Sequence, residues 1–444
     1  MKSVIKKGGC LLAITLMMGS SMYAQVNEAP STVLDSAHVI SFTLDEAKKY
    51  ALEHNRTIQN ASYDVKKAEA DRWKAIASML LQVNGNVDYY NMFDYEMNMG
   101  GMKMPMPAYF DFGIKASATV SGSQIIGVKL ANMARDLSQV AVAKTDQVIT
   151  SNIETSYINI LALETTTRLL EQGMLNLDSL YKMTLNAVRV GAAEQNAADQ
   201  IAVQVAMMKS QVNSTQRTIE VMYNSIHLLT GVPADVNIVL SQKIEDVVNA
   251  ASIMELMGSD LNLYNNYDYQ LKAQSTELSK KQVTLSKMAY VPSLTVFYAW
   301  DKKEYCSDEA MTAPNMTPPN TFGLTLNVPI WSSGSRYADV KGAKIEYAKA
   351  QNELEDTELQ LKIQEKQLRY NLVSAFENYQ IQNENMEVMQ RVFKSNTEKF
   401  KYGTISSMDL TRSSTDLVNA QNTYVSALVD MITAHVELKK LLNK

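Results

Sequence analysis

Six methionines stand within MFDYEMNMGGMKMPMP, residues 92–107: Met92, Met97, Met99, Met102, Met104 and Met106. A thioether is a soft, neutral ligand, and several together suit Cu(I). Methionine is used freely throughout this chain, 26 in all, and it also pads loops against apolar surroundings. A second segment, CSDEAMTAPNMTPPN (306–320), holds only two methionines and Cys306 and does not reinforce the idea. The expectation is therefore no metal site, with the six methionines as the alternative. Nothing else reads as reaction chemistry. There is no HExxH pair, no Walker-type glycine loop and no GxSxG elbow. His38, His54, His227 and His435 are scattered without ligand spacing. His435 and Glu437, two apart on a helical tract, face different ways. The reading is no catalytic residue, no cofactor and no enzyme.

The methionine loop is flanked by alternating segments. Gln82, Asn84, Asn86 and Asp88 alternate with Val83, Gly85, Val87 and Tyr89. Gly113, Lys115, Ser117 and Thr119 alternate with Phe112, Ile114, Ala116, Ala118 and Val120. Ser293 and Thr295 alternate with Leu294, Val296, Tyr298 and Trp300. In TFGLTLNVPIWSSGSR (321–336), Phe322, Leu324, Leu326, Val328 and Ile330 alternate with Gly323, Thr325, Asn327 and Pro329. A period of two is a strand with one apolar and one polar face. About ten residues give roughly 33 Å, and a tilt near 45° leaves about 24 Å of height, the apolar band of an outer-membrane barrel. Tyr89, Tyr90, Tyr109, Phe110 and Trp300 gather at one end and Trp331 at the other, as an interfacial girdle would. A soluble sandwich also alternates, but its strands would form a meander, not two isolated pairs embedded in helix. Four strands cannot close a barrel, whose smallest type has about eight. Open edges are not tolerated in lipid. The chain is thus expected to oligomerise, with Asn84, Asn86, Lys115, Thr325 and Asn327 on the wall of a wet lumen.

The chain also repeats itself. ALEHNRTIQ (51–59) matches NLYNNYDYQ (262–270), pairing Leu52 with Leu263, Asn55 with Asn266 and Gln59 with Gln270. FGIKASATV (112–120) matches FGLTLNVPI (322–330), VRVGAAE (188–194) matches FKYGTIS (400–406), and HLLTG ending at Gly231 falls on KKLLN ending at Asn443. So long a period is a duplicated domain. Each half reads helix, strand, loop, strand, long helix, turn, long helix. Tracts 43–84, 128–172, 192–230, 343–402 and 404–444 lack both glycine and proline. Thr43 and Glu46 read as a capping box, and Gly191 and Gly403 as turns. Leu361, Leu368, Leu372, Ala375, Tyr379, Met386, Met389, Phe393 and Phe400 form a heptad seam on a helix of about 90 Å. A long coiled coil therefore continues directly from a membrane strand.

The N-terminus, MKSVIKKGGCLLAITLMMGSSMYA, places three lysines before a short apolar run and small residues, a secretory signal ending near Ala24. Cys10 precedes the apolar run and is not a lipidation cysteine. The formal net charge is −5, and it becomes more negative once the signal lysines leave, which argues against nucleic acid.

Together, FTLDEAKKYALEHN (42–55), VRVGAAE (188–194), LNVPIWSSGSR (326–336) and KYGTISSMDLTRSSTDLVNAQNTYVSALV (401–429) resemble the TolC family of outer-membrane efflux proteins. The resemblance implies a mostly α fold with a membrane β-barrel portion. Long antiparallel helices would form a periplasmic coiled-coil tunnel, and four strands per chain would contribute to a trimeric 12-stranded barrel. It implies a homotrimer in outer-membrane lipid of the Gram-negative type, a periplasmic adaptor and an inner-membrane pump. The function expected is a passive duct for small-molecule or drug export. The alternatives are a type I secretion duct and a Cu/Ag efflux duct, since family members export such metals. From another class, a surface coiled-coil protein or adhesin would put its strand-rich anchor near one terminus. The resemblance also makes Val190, Gly191, Ala192, Tyr402, Gly403 and Thr404 adaptor-contact tips. It places Asp409 where the family often narrows its tunnel. The equivalent of Asp409 in the first half is Ala197, with Asp199 two residues on, and Ile405 stands where an arginine is often found. A gate would then be a ring of three Asp409 carboxylates. The expected partition is a signal over 1–24 and a first repeat over 25–231, with strands near 82–91 and 112–122. An equatorial-belt insertion follows over 232–260, then a second repeat over 261–444, with strands near 293–301 and 321–331.

Overall fold

The computed structural model describes residues 39–444, apart from 94, 100–101, 106–107, 192, 248–249 and 307–318. The signal segment, Ala192 and Met106 lie outside the described residues. In chain order the elements are β1 (Val39–Phe42), α1 (Leu44–His54), α2 (Arg56–Ala77), β2 (Gln82–Tyr90), β3 (Glu96–Met99), β4 (Met102–Pro105) and β5 (Tyr109–Val120). Then come α3 (Gly122–Arg189), α4 (Gln195–Thr230), β6 (Asn237–Leu240), α5 (Ile244–Val247) and α6 (Ala250–Met257). A 3-10 turn (Leu263–Asn265) precedes α7 (Tyr267–Met288), β7 (Ser293–Tyr305), β8 (Asn320–Asn327), α8 (Ser335–Lys401) and α9 (Ser407–Leu442).

Two helices set the length. α3 has 68 residues and α8 has 67, so each runs about 100 Å. On the side of the strands, α2 and α7 pack beside them; on the far side, α4 and α9 do. The buried seam of α8 includes Leu361, Leu368 and Leu372, three of the heptad positions. α8 starts earlier than the breaker-free tract 343–402 suggests and carries Gly342 within it. The turn from strand to helix is clamped by Arg336, which donates to the Pro329 carbonyl (2.8 Å) and to Ser332 Oγ (2.9 Å). Its guanidinium also lies 5.1 Å from the Tyr290 ring centroid.

Tract 43–84 holds two helices before its strand, not one. The break is Asn55, which is 3% exposed. Its Oδ1 accepts from the backbone N–H of Thr57 and Ile58, capping α2. Its Nδ2 donates to the Leu229 carbonyl at the end of α4, at 2.7 Å. Its backbone N–H closes α1 on Ala51. One amide thus joins a helix N-terminus to a facing helix C-terminus, supplying an acceptor to the first and a donor to the second. Gly231, at φ +81, ends α4 there, and a Cβ on it would stand 2.7 Å from the His54 carbonyl oxygen. The second half repeats the joint. Asn266 Oδ1 accepts from Asp268 and Tyr269, and its Nδ2 donates to Leu441 O at 2.9 Å. Asn443, at φ +54, takes the place of Gly231.

The main core surrounds these joints and includes Phe42, Ile153, Ile160, Ile226, Leu372, Met431 and Leu438. β1 pairs in parallel with β6, a pairing with no counterpart in the sequence reading. Buried Tyr157 ties that pair to α3, donating to the Phe42 carbonyl at 3.0 Å. A smaller core of Leu177, Leu180, Ile201, Met208 and Leu410 lies toward the helix tips.

Beside the main core, Lys48 bonds Glu154 at 2.5 Å, and Lys439 lies 3.6 Å from the same carboxylate. Burial would raise the Glu154 carboxyl, but the Lys48 hydrogen bond and charge, with Lys439 and His435, hold it below its ordinary 4.5. His435 shares a cavity with Glu154, Lys48, Lys439, Asp45, Glu255 and Lys444. Burial, and then Lys439, push its imidazole below the ordinary 6.5, against the pull of Glu154. Both groups bind protons more readily when unfolded. The His435 contribution is therefore complete above its unfolded value near 6.5 and is lost as pH falls through the folded value. The Glu154 contribution follows below 4.5. Melting temperature should fall in two stages, the first as pH falls below about 6.5 and the second below about 4.5, and His435→Gln should remove the first. An unchanged first stage in that variant would assign it to other groups.

Candidate functional site: a two-faced sheet and the helix tips

β2, β5, β7 and β8 form one antiparallel sheet in that order, so β2 and β8 are its open edges. The ladders fix which residues share a face. Asn84 is opposite Lys115, Lys115 opposite Ala299, Thr295 opposite Thr325, and Ser293 opposite Asn327. Because alternate residues share a face, Asn84, Asn86, Lys115, Thr325 and Asn327 all fall on one side of the sheet. Ser117, Thr119, Thr295 and Thr321 lie on that side too, and the Thr119 and Thr295 hydroxyls bond at 2.9 Å. The other side carries Val83, Val87, Phe112, Ile114, Leu294, Val296, Tyr298, Phe322, Leu324 and Leu326. Leu324 and Leu326 are each more than three-fifths exposed in the single chain.

The polar side holds residues that the alternation alone did not single out. Phe297 is an aromatic among polar neighbours. Lys115 Nζ lies 5.0 Å from its ring centroid. Gly323 makes the room: a Cβ there would stand 2.5 Å from the ring. Near the end away from the helices, Asp88 faces Asp111 and Asp111 faces Lys303, while Asp301 faces Gly113. Asp301 lies on the polar side by register, and Lys303 joins it because β7 runs on to Tyr305, past the expected end near 301.

The other strand ends also differ from expectation. β5 begins at Tyr109, whose partner Tyr305 extends the ladder, and ends at Val120 because Ser121 is spent capping α3. β8 ends at Asn327; Pro329 has no N–H to donate. Trp331 is therefore not a strand residue, and it stands 85% exposed beyond β8. At the opposite end Tyr89 and Phe110 pair at 5.0 Å on the apolar side, with Trp300 on the same side. Tyr90 and Tyr109 stack at 5.2 Å on the polar side.

At the far end of the long helices, α3 and α8 turn back. Val190 and Tyr402 close the helices and are about four-fifths exposed. Gly191 and Gly403 take φ of +73 and +71. Thr404 N donates to Lys399 O at 3.0 Å and Gly403 N to Phe400 O at 2.9 Å, a Schellman close. Asp409 is the third residue of α9 and forms a capping box with Ser406, accepting from its Oγ at 2.7 Å. Its carboxylate thus has a structural task as well as an exposed position. A groove between the two hairpins is lined by Leu177, Leu180, Phe393, Phe400, Leu410 and Val418.

Residues 259–444 match the family model described as outer membrane efflux protein. Over that stretch the chain is similar to the outer membrane efflux proteins. The first half carries the same joint, strand pair and helix hairpin, and solved structures cover it as well. The fold is that of CusC (TM-score 0.75, 14% identity, 94% of this chain and 98% of that one). It is likewise that of the CmeC outer membrane channel of Campylobacter jejuni (TM-score 0.71, 15% identity, 90% and 85%). The outer membrane protein VceC of Vibrio cholerae shares it (TM-score 0.72, 13% identity, 90% and 95%). No curated protein matches the chain by sequence. Among the described residues no helix is long and apolar enough to cross a membrane. The two-faced sheet is the part whose apolar side suits lipid.

Proposed function

We propose that three copies of this chain form a passive outer-membrane duct within a tripartite efflux assembly that carries small molecules out of the periplasm. The observation that carries this reading is the open sheet with its segregated faces. Such a sheet in lipid needs partners on both edges. The strand order makes β8 of one copy antiparallel to β2 of the next. Two copies would give eight strands, an interior that side chains fill; three give twelve and leave room for water. Asn84, Asn86, Lys115, Thr325 and Asn327 then line the lumen. The helices continue the duct into the periplasm. The tips at Val190, Gly191, Ala192, Tyr402, Gly403 and Thr404 present themselves to a periplasmic adaptor, which would link the duct to an inner-membrane pump. The apolar groove beside Phe393 and Phe400 offers that adaptor a seat.

Asp409 is the proposed gate residue, three copies narrowing the tip. Asp409→Asn keeps an acceptor for the capping box and removes the charge, whereas Ser406→Ala breaks the box and keeps the charge. In planar bilayers Asp409→Asn should raise conductance, while Ser406→Ala should chiefly lower stability, by about 1 kcal/mol. A detergent-solubilised wild type that runs as a stable monomer, or a trimer that conducts in neither form, refutes the duct. Equal conductance in wild type and Asp409→Asn refutes the gate alone.

A further inference from the structure

We infer that the junction between the sheet and α8 is a docking surface for anionic phospholipid headgroups. The inference rests on the reading of the sheet as a membrane wall, which sets the first turns of α8 beside the headgroups. β8 ends at Asn327 and α8 begins at Ser335. The opening turns of α8 divide by charge. Tyr337, Lys341 and Lys344 are four and three residues apart and share one side. Asp339, Glu346 and Glu353 recur every seven residues on the opposite side, with Asp339 about 200° round from Tyr337. Two of those acids are already matched: Glu353 bonds Lys272 at 2.6 Å, and Glu346 lies 3.7 Å from Lys349. Lys341 and Lys344 are exposed, as is Lys287 in the last turn of α7. None of the three enters an ion pair among the described residues.

Which side of α8 faces outward is fixed lower on the same helix. Arg369 pairs with Glu365 and donates to the Met257 and Ser259 carbonyls, holding the 232–260 segment against α8. A packed segment from each copy would fill a lumen, so on the duct it lies outside. Lys341 precedes Arg369, and Tyr337 precedes Glu365, by four heptads; Lys344 precedes Glu365 by three. On a helix held in a heptad seam, such residues keep to one side. The lysine side is therefore the outward side, and the acidic side faces the duct.

The neighbours of these lysines suit a bilayer surface. Between β8 and α8, Ile330 and Trp331 are 89% and 85% exposed, and Tyr337 is 68% exposed. At an interface, aromatic rings sit at headgroup level, while lysine stems lie along the apolar boundary and carry their ammonium groups to phosphate. Tyr337 to Lys344 fall within about 15 Å of the start of α8. A zwitterionic headgroup brings a cation of its own and gains little from unpaired lysines; an anionic one is attracted by each of them. Free phosphate would have no use for the exposed indole and isoleucine.

The test uses the full-length protein carrying Trp73→Phe and Trp300→Phe, which leaves Trp331 as the one tryptophan. It is reconstituted in phosphatidylcholine vesicles containing either brominated phosphatidylglycerol or brominated phosphatidylcholine, and quenching of Trp331 gives the relative binding of the two lipids. Phosphatidylglycerol should be preferred about fivefold or more, the attraction of about one lysine to an anionic surface. The preference should shrink as salt is raised. Inorganic phosphate should reduce it no more than chloride at equal ionic strength. Lys287→Gln, Lys341→Gln and Lys344→Gln together should bring the ratio near one. Lys341→Arg with Lys344→Arg keeps the charge and should keep the ratio, as should Lys209→Gln with Lys366→Gln, exposed lysines far from the junction. Equal quenching by both lipids in the starting protein, an unchanged ratio in the triple glutamine variant, or specific displacement by inorganic phosphate overturns the inference and leaves the duct standing. Quenching by neither lipid, with Trp331 or with Trp300 kept as the reporter, removes the membrane wall and the duct with it.

Discussion

Asn55→Ala will lower unfolding free energy by about 2–4 kcal/mol, and Asn266→Ala by a similar amount. Two losses add. Removing the side-chain oxygen uncaps α2, which costs about 1 kcal/mol. Removing the amide nitrogen leaves the Leu229 carbonyl without its 2.7 Å donor in a part-buried setting, and an unmet buried acceptor costs about 1–3 kcal/mol. Asn55→Ser separates the two, because a hydroxyl can cap the helix but cannot also reach across to α4. Serine should therefore recover roughly the cap's share, about 1 kcal/mol. Denaturant unfolding at fixed protein concentration, followed by helical circular dichroism, reads all three. The two joints lie in different repeats, so the double alanine variant should lose nearly the sum unless the repeats unfold as one unit. Alanine variants that melt with the wild type would show that the end-to-end helix joints are not held by these amides.

The duplication was legible because it is written in residues with exacting requirements. Asn55 and Asn266, and Gly231 and Asn443, stand out because few residues cap a helix or take a positive φ. Sheet faces were legible for a similar reason: a strand with one polar and one apolar side leaves a period of two in the letters. What the alternation lacked was pairing. That Phe297 sits among polar residues, with Gly323 beside it to admit the ring, follows only from the register of β7 on β8. The β1–β6 pair was invisible for the same reason; two four-residue strands far apart in the chain carry no mutual signal. Strand ends slipped where a local hydrogen bond outranks alternation. Ser121 stops β5 by capping α3, while Tyr109 to Phe112 keep β5 going because β7 is long enough to pair with them. The resemblance marks Asp409 by its place after the tip turn, while the capping box it forms with Ser406 is written in the spacing of those two residues.

The largest effect should come from two neighbours on β8. Leu324 and Thr325 are adjacent in sequence and lie on opposite sides of the sheet, Leu324 opposite Val296 and Thr325 opposite Thr295. Arginine at Leu324 would put a guanidinium against lipid near the middle of the strand. On a lipid-facing barrel position this costs about 2–4 kcal/mol at the midplane, and each copy in an oligomer bears it again. Leu324→Arg should therefore fail to assemble in the membrane, or assemble only in a form that dissociates on mild heating. On the proposed duct, Thr325→Arg places the same group on the wall of the lumen. It should fold, assemble as wild type does, and shift ion preference toward anions, because a ring of added positive charges then lines the lumen. Heat-modifiable migration on gels measures assembly, and reversal potential in planar bilayers under a salt gradient measures selectivity. The contrast carries the argument, since both variants add the same bulk and charge to one strand and differ only in the face that receives them. If Thr325→Arg were the destructive change and Leu324→Arg the silent one, the assignment of faces would be inverted; if both were silent, the sheet would not be a membrane wall.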